Sequence, residues 1–133
     1  MLFQCFRSKV KVKVKEVHSN HFPVFKKGRP GHLYVIKERE FLKTNENIFK
    51  IGKTTNIVHR MPQYPKQSRL YIMFYSTNID DMEKYLIQEF DKRFIKRTDI
   101  GVEYYECNDN ELLIDVSSFM YYIFTNFKNI KEE

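Results

Sequence analysis

Cysteine is scarce in this chain. Cys5 and Cys107 stand far apart with no Cys-x-x-Cys spacing, which argues against a zinc site or a disulfide framework and leaves free thiols in a reducing compartment as the expectation. Long apolar runs are also missing. None approaches the ~20 residues that a membrane-spanning helix needs, and the apolar start Met1–Phe6 is interrupted by Gln4 and followed by Arg7 and Lys9. No signal-peptide core is expected there, so the protein is expected to act inside the cell, away from membranes. Acidic residues are nearly absent from positions 1–30, where Glu16 faces eight basic residues, Arg7, Lys9, Lys11, Lys13, Lys15, Lys26, Lys27 and Arg29. The other 103 residues carry 15 basic and 16 acidic side chains, so the whole net charge of +6 resides in this arm. A basic arm beside a nearly neutral domain suits contact with phosphates, which attract such charges without regard to sequence. No zinc finger or recognition helix is present to specify a DNA sequence.

What is present reads as one folded domain. Its 133 residues are 42% hydrophobic, 16% aromatic and 30% charged, enough to bury a modest core. Lys9, Lys11, Lys13 and Lys15 alternate with Val10, Val12 and Val14, the period-2 pattern of a half-buried strand. Its lysines would guard a sheet edge, lie along a phosphate backbone, or do both. His18 and His21 are separated by two residues, but with no cysteine or further histidine beside them the stretch 18–31, rich in Pro and Gly, reads as a loop.

Leu33–Ile36 is apolar on both faces, as a central strand would be. Lys37–Asn47 reads as a polar hairpin link, and Ile48–Gly52 as the returning strand. Lys50 and Gly52 share a face there, and the missing side chain of Gly52 would let a ligand approach the backbone. Thr54 or Thr55 is expected to cap a short helix with Ile57, Val58 and Met61 as its apolar side and Arg60 at its flank, stopped by Pro62. The continuous run Leu70–Tyr75 reads as a buried third strand.

The next helix opens at Asn78, with Asp80 and Asp81 in the first turn where carboxylates favour the helix dipole. Ile79, Met82, Leu86, Ile87, Phe90 and Phe94 form its apolar stripe. At ~100° per residue, Glu83 falls inside that stripe. A carboxylate in such a place must be paired, protonated or bound to metal, because burying it alone costs several kcal/mol. Either a structural ion pair with Arg60 or a lysine, or a functional site, would satisfy it. Glu103–Cys107 reads as a short strand with Tyr104 and Tyr105 on opposite faces, one lining the site and the other the core. Asn108 and Glu111 resemble a capping box before a last helix whose stripe runs from Leu112 to Phe127.

Gly31-His32-Leu33-Tyr34, Lys50-Ile51-Gly52-Lys53-Thr54, Arg60, Glu83 and the closing Gly101-Val102-Glu103-Tyr104-Tyr105-Glu106 occur in an order and spacing that resembles the GIY-YIG nuclease superfamily, in its short phage and large-virus branch. Lys50 stands where other members have the second tyrosine. The resemblance implies a GIY-YIG-like α+β fold, here a small antiparallel three-stranded sheet from 33–37, 48–52 and 70–75 flanked by helices, with the basic strand added at the N-terminus. The implied organisation is an arm over 1–30, a nuclease domain over 31–127 and a tail over 128–133. The resemblance also implies an endonuclease that hydrolyses DNA with one Mg²⁺ or Mn²⁺ held by Glu83. Tyr34 would act on the attacking water with Lys50 beside it, Arg60 would hold the scissile phosphate, and Lys53 with Lys9, Lys11, Lys13 and Lys15 would contact nucleic acid. The alternative is an inactive nucleic-acid-binding module of the same fold. A protein-interaction domain has least support, since nothing marks a large exposed apolar patch. The abundance of Lys, Ile, Asn, Phe and Tyr fits an AT-rich source such as a large DNA virus.

Overall fold

The pairing of two neighbouring strands positions most of the site. In the computed structural model, which describes residues 26–131, β1 (Gly31–Lys37) runs antiparallel to β2 (Ile48–Thr54), with Tyr34 opposite Gly52 and Leu33 opposite Lys53. β1 also pairs with β3 (Arg69–Ser76), which places Met73 opposite Tyr34. Flanked on both sides, β1 is buried from Leu33 to Lys37, which accounts for its apolar run.

The sheet has five strands where three were expected. β5 (Tyr104–Glu106) pairs with β2, and the two-residue β4 (Ile95–Lys96) pairs with β5, giving the antiparallel order β3-β1-β2-β5-β4. The α+β class is as expected. β3 also differs from its expected burial. Met73 and Tyr75 are 47% and 57% exposed, because β3 is an edge strand among the described residues and its apolar run is covered on one face only. The basic strand around Lys9–Lys15 lies outside the described residues.

The link between β1 and β2 holds a short helix, α1 (Arg39–Thr44). Asn45 ends it in the left-handed conformation at φ 58°, its N–H returning to the Leu42 carbonyl. Asparagine tolerates that conformation better than most residues. After β2, α2 (Ile57–Arg60) passes into a 3₁₀ turn, Met61–Gln63. Its cap is Asn56, whose side chain accepts from the His59 N–H. Thr54 belongs to β2 instead, and its hydroxyl accepts from the Asn56 N–H at 3.1 Å. The expected apolar side of α2 is not buried: Ile57 and Met61 are half-buried and Val58 is 81% exposed.

α3 (Ile79–Arg93) begins at Asn78, whose side chain accepts from the Asp81 N–H at 3.1 Å. Its amide also donates to the Lys26 carbonyl at 2.9 Å, which ties the segment before β1 to the helix start. Ile79, Met82, Leu86 and Phe90 are buried as expected, and Ile87 and Phe94 only in part. Phe90 meets Tyr105 edge to face at 5.3 Å, a pair worth roughly 0.5–1.5 kcal/mol beyond the area it buries. α3 therefore covers the sheet face that carries Tyr105.

Residues 26–108 form one unit. α4 (Asp109–Lys131) belongs to another. Leu112, Val116 and Phe119 are buried at helical spacing, and α4 continues to Lys131, beyond position 128 where the tail was expected to begin. No described helix is long and apolar enough to cross a membrane.

Candidate active site

Alternation along β1 and β2 divides the expected site residues between the two faces of the sheet. Tyr34, Lys50, Gly52 and Tyr104 occupy one face. Tyr34 is only 1% exposed, and its ring fills the space beside Gly52: a Cβ at that position would overlap the phenol. The open space expected next to Lys50 is therefore taken by Tyr34, and that is the reason a glycine is needed. The Tyr34 hydroxyl lies 2.7 Å from that of Tyr64, with the rings edge to face at 5.9 Å.

Tyr64, just past the 3₁₀ turn, is a site residue that the sequence reading missed. The signal was its spacing of four from Arg60. Burial holds its phenol above the usual tyrosine range, the bond to Tyr34 adds to this, and Arg60 draws it down in part. Either hydroxyl of the pair can donate to the other. Lys50 reaches the cluster with its Nζ 5.5 Å from the ring centres of both Tyr64 and Tyr104. Tyr104 donates to Glu38 Oε1 at 2.5 Å. Of the two adjacent tyrosines, Tyr104 lines this face and Tyr105 lies in the core. Neither Lys50 nor the exposed Arg60 forms an ion pair among the described residues. Two cations without an ion pair among the described residues, beside a part-buried hydroxyl pair, suit an anionic ligand.

Lys53 emerges on the other face, toward α3. Its Nζ lies 2.9 Å from Glu83 Oε1 and 3.0 Å from Asp80 Oδ1, and Arg29 contacts the same Asp80 oxygen at 2.9 Å. Glu83 is 9% exposed, so the expected buried carboxylate is observed, and its ion-pair partner is Lys53, not Arg60. Hydrogen bonding to Glu83 first, and to Asp80 second, raises the Lys53 pKa. Hydrogen bonds from Arg29 and then Lys53 hold Asp80 at about 2, below its ordinary 3.8. A depressed carboxylate stabilises the fold above its unfolded pKa and ceases to do so as pH falls through the folded value. Melting temperature should therefore decline below about pH 3.8 and toward 2. Asp80→Asn should flatten that acid limb, as thermal melts across the range will show.

Glu103, the second residue missed, links the two faces. Its carbonyl accepts from the Ile51 N–H at 3.0 Å, beyond the point where β5 stops pairing with β2. Burial raises its carboxyl pKa and Glu83 adds to this, while Lys50, Lys53 and Arg60 oppose it. Glu103 therefore feels the charge of both sets, Lys50 and Arg60 from one and Lys53 and Glu83 from the other. Its clue was its place in the Gly101–Glu106 motif. The four arm lysines, Lys9, Lys11, Lys13 and Lys15, lie outside the described residues.

No group of three or more His, Cys, Asp or Glu able to hold a metal occurs among the described residues. A single buried carboxylate does fit Mg²⁺ or Mn²⁺, which keep most of their waters and take one or two carboxylates.

An antiparallel α+β domain carrying tyrosines, unpaired cations and a buried glutamate has the character of a nuclease-like protein. Residues 31–120 match the T5orf172 domain, and the chain belongs to that family, a phage-associated domain of the GIY-YIG/HNH-like endonuclease type. No curated protein and no solved structure matches the chain significantly.

Proposed function

We propose that this domain is a GIY-YIG-type endonuclease that hydrolyses DNA phosphodiester bonds with Mg²⁺ or Mn²⁺. The observation that carries the reading is the Tyr34–Tyr64 hydroxyl pair at 2.7 Å beside Lys50 and Arg60, neither of which is ion-paired among the described residues. Phosphodiester hydrolysis needs a positioned water, a proton acceptor and stabilisation of added negative charge. Tyr34, as its phenolate, accepts the water's proton and is left neutral, and Tyr64 donates a hydrogen bond to the Tyr34 oxygen while that oxygen carries the charge. Arg60 and Lys50 hold the phosphate. Glu83 lies on the other face, but its charge, like those of Lys50 and Arg60, acts on Glu103. Glu83 would hold the metal, which when bound supplies Lewis-acid stabilisation of the phosphoryl oxygens.

A supercoiled plasmid should be nicked with Mg²⁺ or Mn²⁺ and left intact with chelator. Binding without nicking would favour the inactive module, which keeps the same cations. The arm is tested separately. Deleting residues 1–17 removes Arg7, Lys9, Lys11, Lys13 and Lys15, so DNA binding should weaken and the slope of log affinity against log salt should flatten by up to about four units. An unchanged slope would leave these lysines as guards of a sheet edge.

A further inference from the structure

Lys53 is placed unlike the other cations of the site. Lys50 rests on aromatic rings and Arg60 is exposed, but Lys53 is held between two carboxylates, 2.9 Å from Glu83 and 3.0 Å from Asp80. To contact a phosphate it would have to leave both. Arg29, Lys53, Asp80 and Glu83 together balance two positive charges against two negative ones. A divalent cation arriving at Glu83 upsets that balance and meets an ammonium already in contact with the same carboxylate. A divalent ion at the Glu83 oxygen would repel the ammonium there more strongly than the two single charges of Arg29 and Lys53, which share Asp80 Oδ1, repel each other. Asp80 offers the ammonium a second anchor within reach.

We propose that Lys53 is the resident counter-ion of Glu83, that a divalent cation binds Glu83 by displacing it, and that Asp80, which already contacts the ammonium, retains it. This rests on Glu83 being the metal ligand of the proposed nuclease. The pairing orients the buried carboxylate without metal and compensates a charge that is costly to bury alone. It also sets metal affinity, since every cation bound must first break the Lys53 contact. Asp80 lowers that cost by keeping the ammonium neutralised after it moves, and Arg29 holds Asp80 in position through two hydrogen bonds of 2.9 and 3.2 Å.

The test is Mn²⁺ binding to the full chain, followed by electron paramagnetic resonance of the free ion, which does not depend on cleavage. Lys53→Met should bind Mn²⁺ about tenfold more tightly or better, because the competing charge is gone while the apolar stem remains. Lys84→Met is the control for net charge: Lys84 is exposed beside Glu83 in sequence and makes no ion pair among the described residues. It should change affinity by no more than about twofold. Asp80→Asn should weaken binding, since the displaced ammonium loses its acceptor. In a melt, Lys53→Met should be less stable than the wild type without Mn²⁺ and should gain more on its addition. If Lys53→Met does not fold, Lys53→Gln removes the charge while keeping a donor for Glu83.

Equal affinities for Lys53→Met and Lys84→Met would overturn the displacement and leave Glu83 as a possible ligand. Binding that survives Glu83→Gln would place the ion elsewhere and remove both the displacement and the proposed metal ligand. If the wild type binds no Mn²⁺, capture by Lys53→Met alone supports the proposal. Absence of binding in both overturns it together with the metal.

Discussion

Glu83→Gln should abolish metal-dependent nicking of a supercoiled plasmid while the protein remains folded. Glutamine keeps the length and shape of the side chain but supplies no anionic oxygen, and hydrated Mg²⁺ depends on that charge. The fold should survive because Lys53 keeps its second partner, Asp80, at 3.0 Å. The neutral amide also removes the burden of a charge that is only 9% exposed. Removing one member of a buried pair can cost about 3–5 kcal/mol when the other is left alone. Lys53 is not left alone, so the loss of stability should be much smaller. Full nicking by the purified variant would remove Glu83 from the mechanism, and collapse of the fold would show that its pairing with Lys53 is mainly structural.

Tyr34→Phe should slow nicking by about a hundredfold or more, the usual scale for losing a proton acceptor, and should barely alter DNA affinity, which the proposed reading assigns to Lys50, Arg60 and the arm. The phenylalanine ring still fills the space beside Gly52, so packing is retained. Tyr64 loses its hydroxyl partner at 2.7 Å, and the unpaired group costs about 1–3 kcal/mol if water cannot reach it. Tyr64→Phe is the companion variant. It removes the same bond but keeps the Tyr34 oxygen, so a similar fall in stability with a smaller fall in rate would separate packing from chemistry. An unchanged rate in Tyr34→Phe with a lower melting temperature would leave Tyr34 as a core residue only.

The sequence alone determined those features that depend on local pattern. Alternation and apolar runs were enough for β1, β2 and the α+β class, and helical periodicity placed Glu83 within a buried stripe. Asn78 was legible as a cap because its side chain acts on an N–H only three residues ahead. Tertiary structure decided whatever depends on partners distant in the chain. β4 has two residues and exists only through its pairing with β5, so no window of sequence could display it. The exposure of β3 follows from its position at an edge, which composition does not encode. Thr54 looked like a helix cap because Thr suits that role, but the β1 register continues the strand through it and passes the cap to Asn56. Gly52 was readable as a place of close approach, yet only the register with β1 shows that Tyr34 makes the approach. The same register sends Lys50 and Lys53 to opposite faces. A side chain's face follows from alternation in the strand, whereas its partner follows from which helix covers that face: Lys53 meets Glu83 because α3 lies there, and Lys50 meets Tyr64 because the turn after α2 lies on the other.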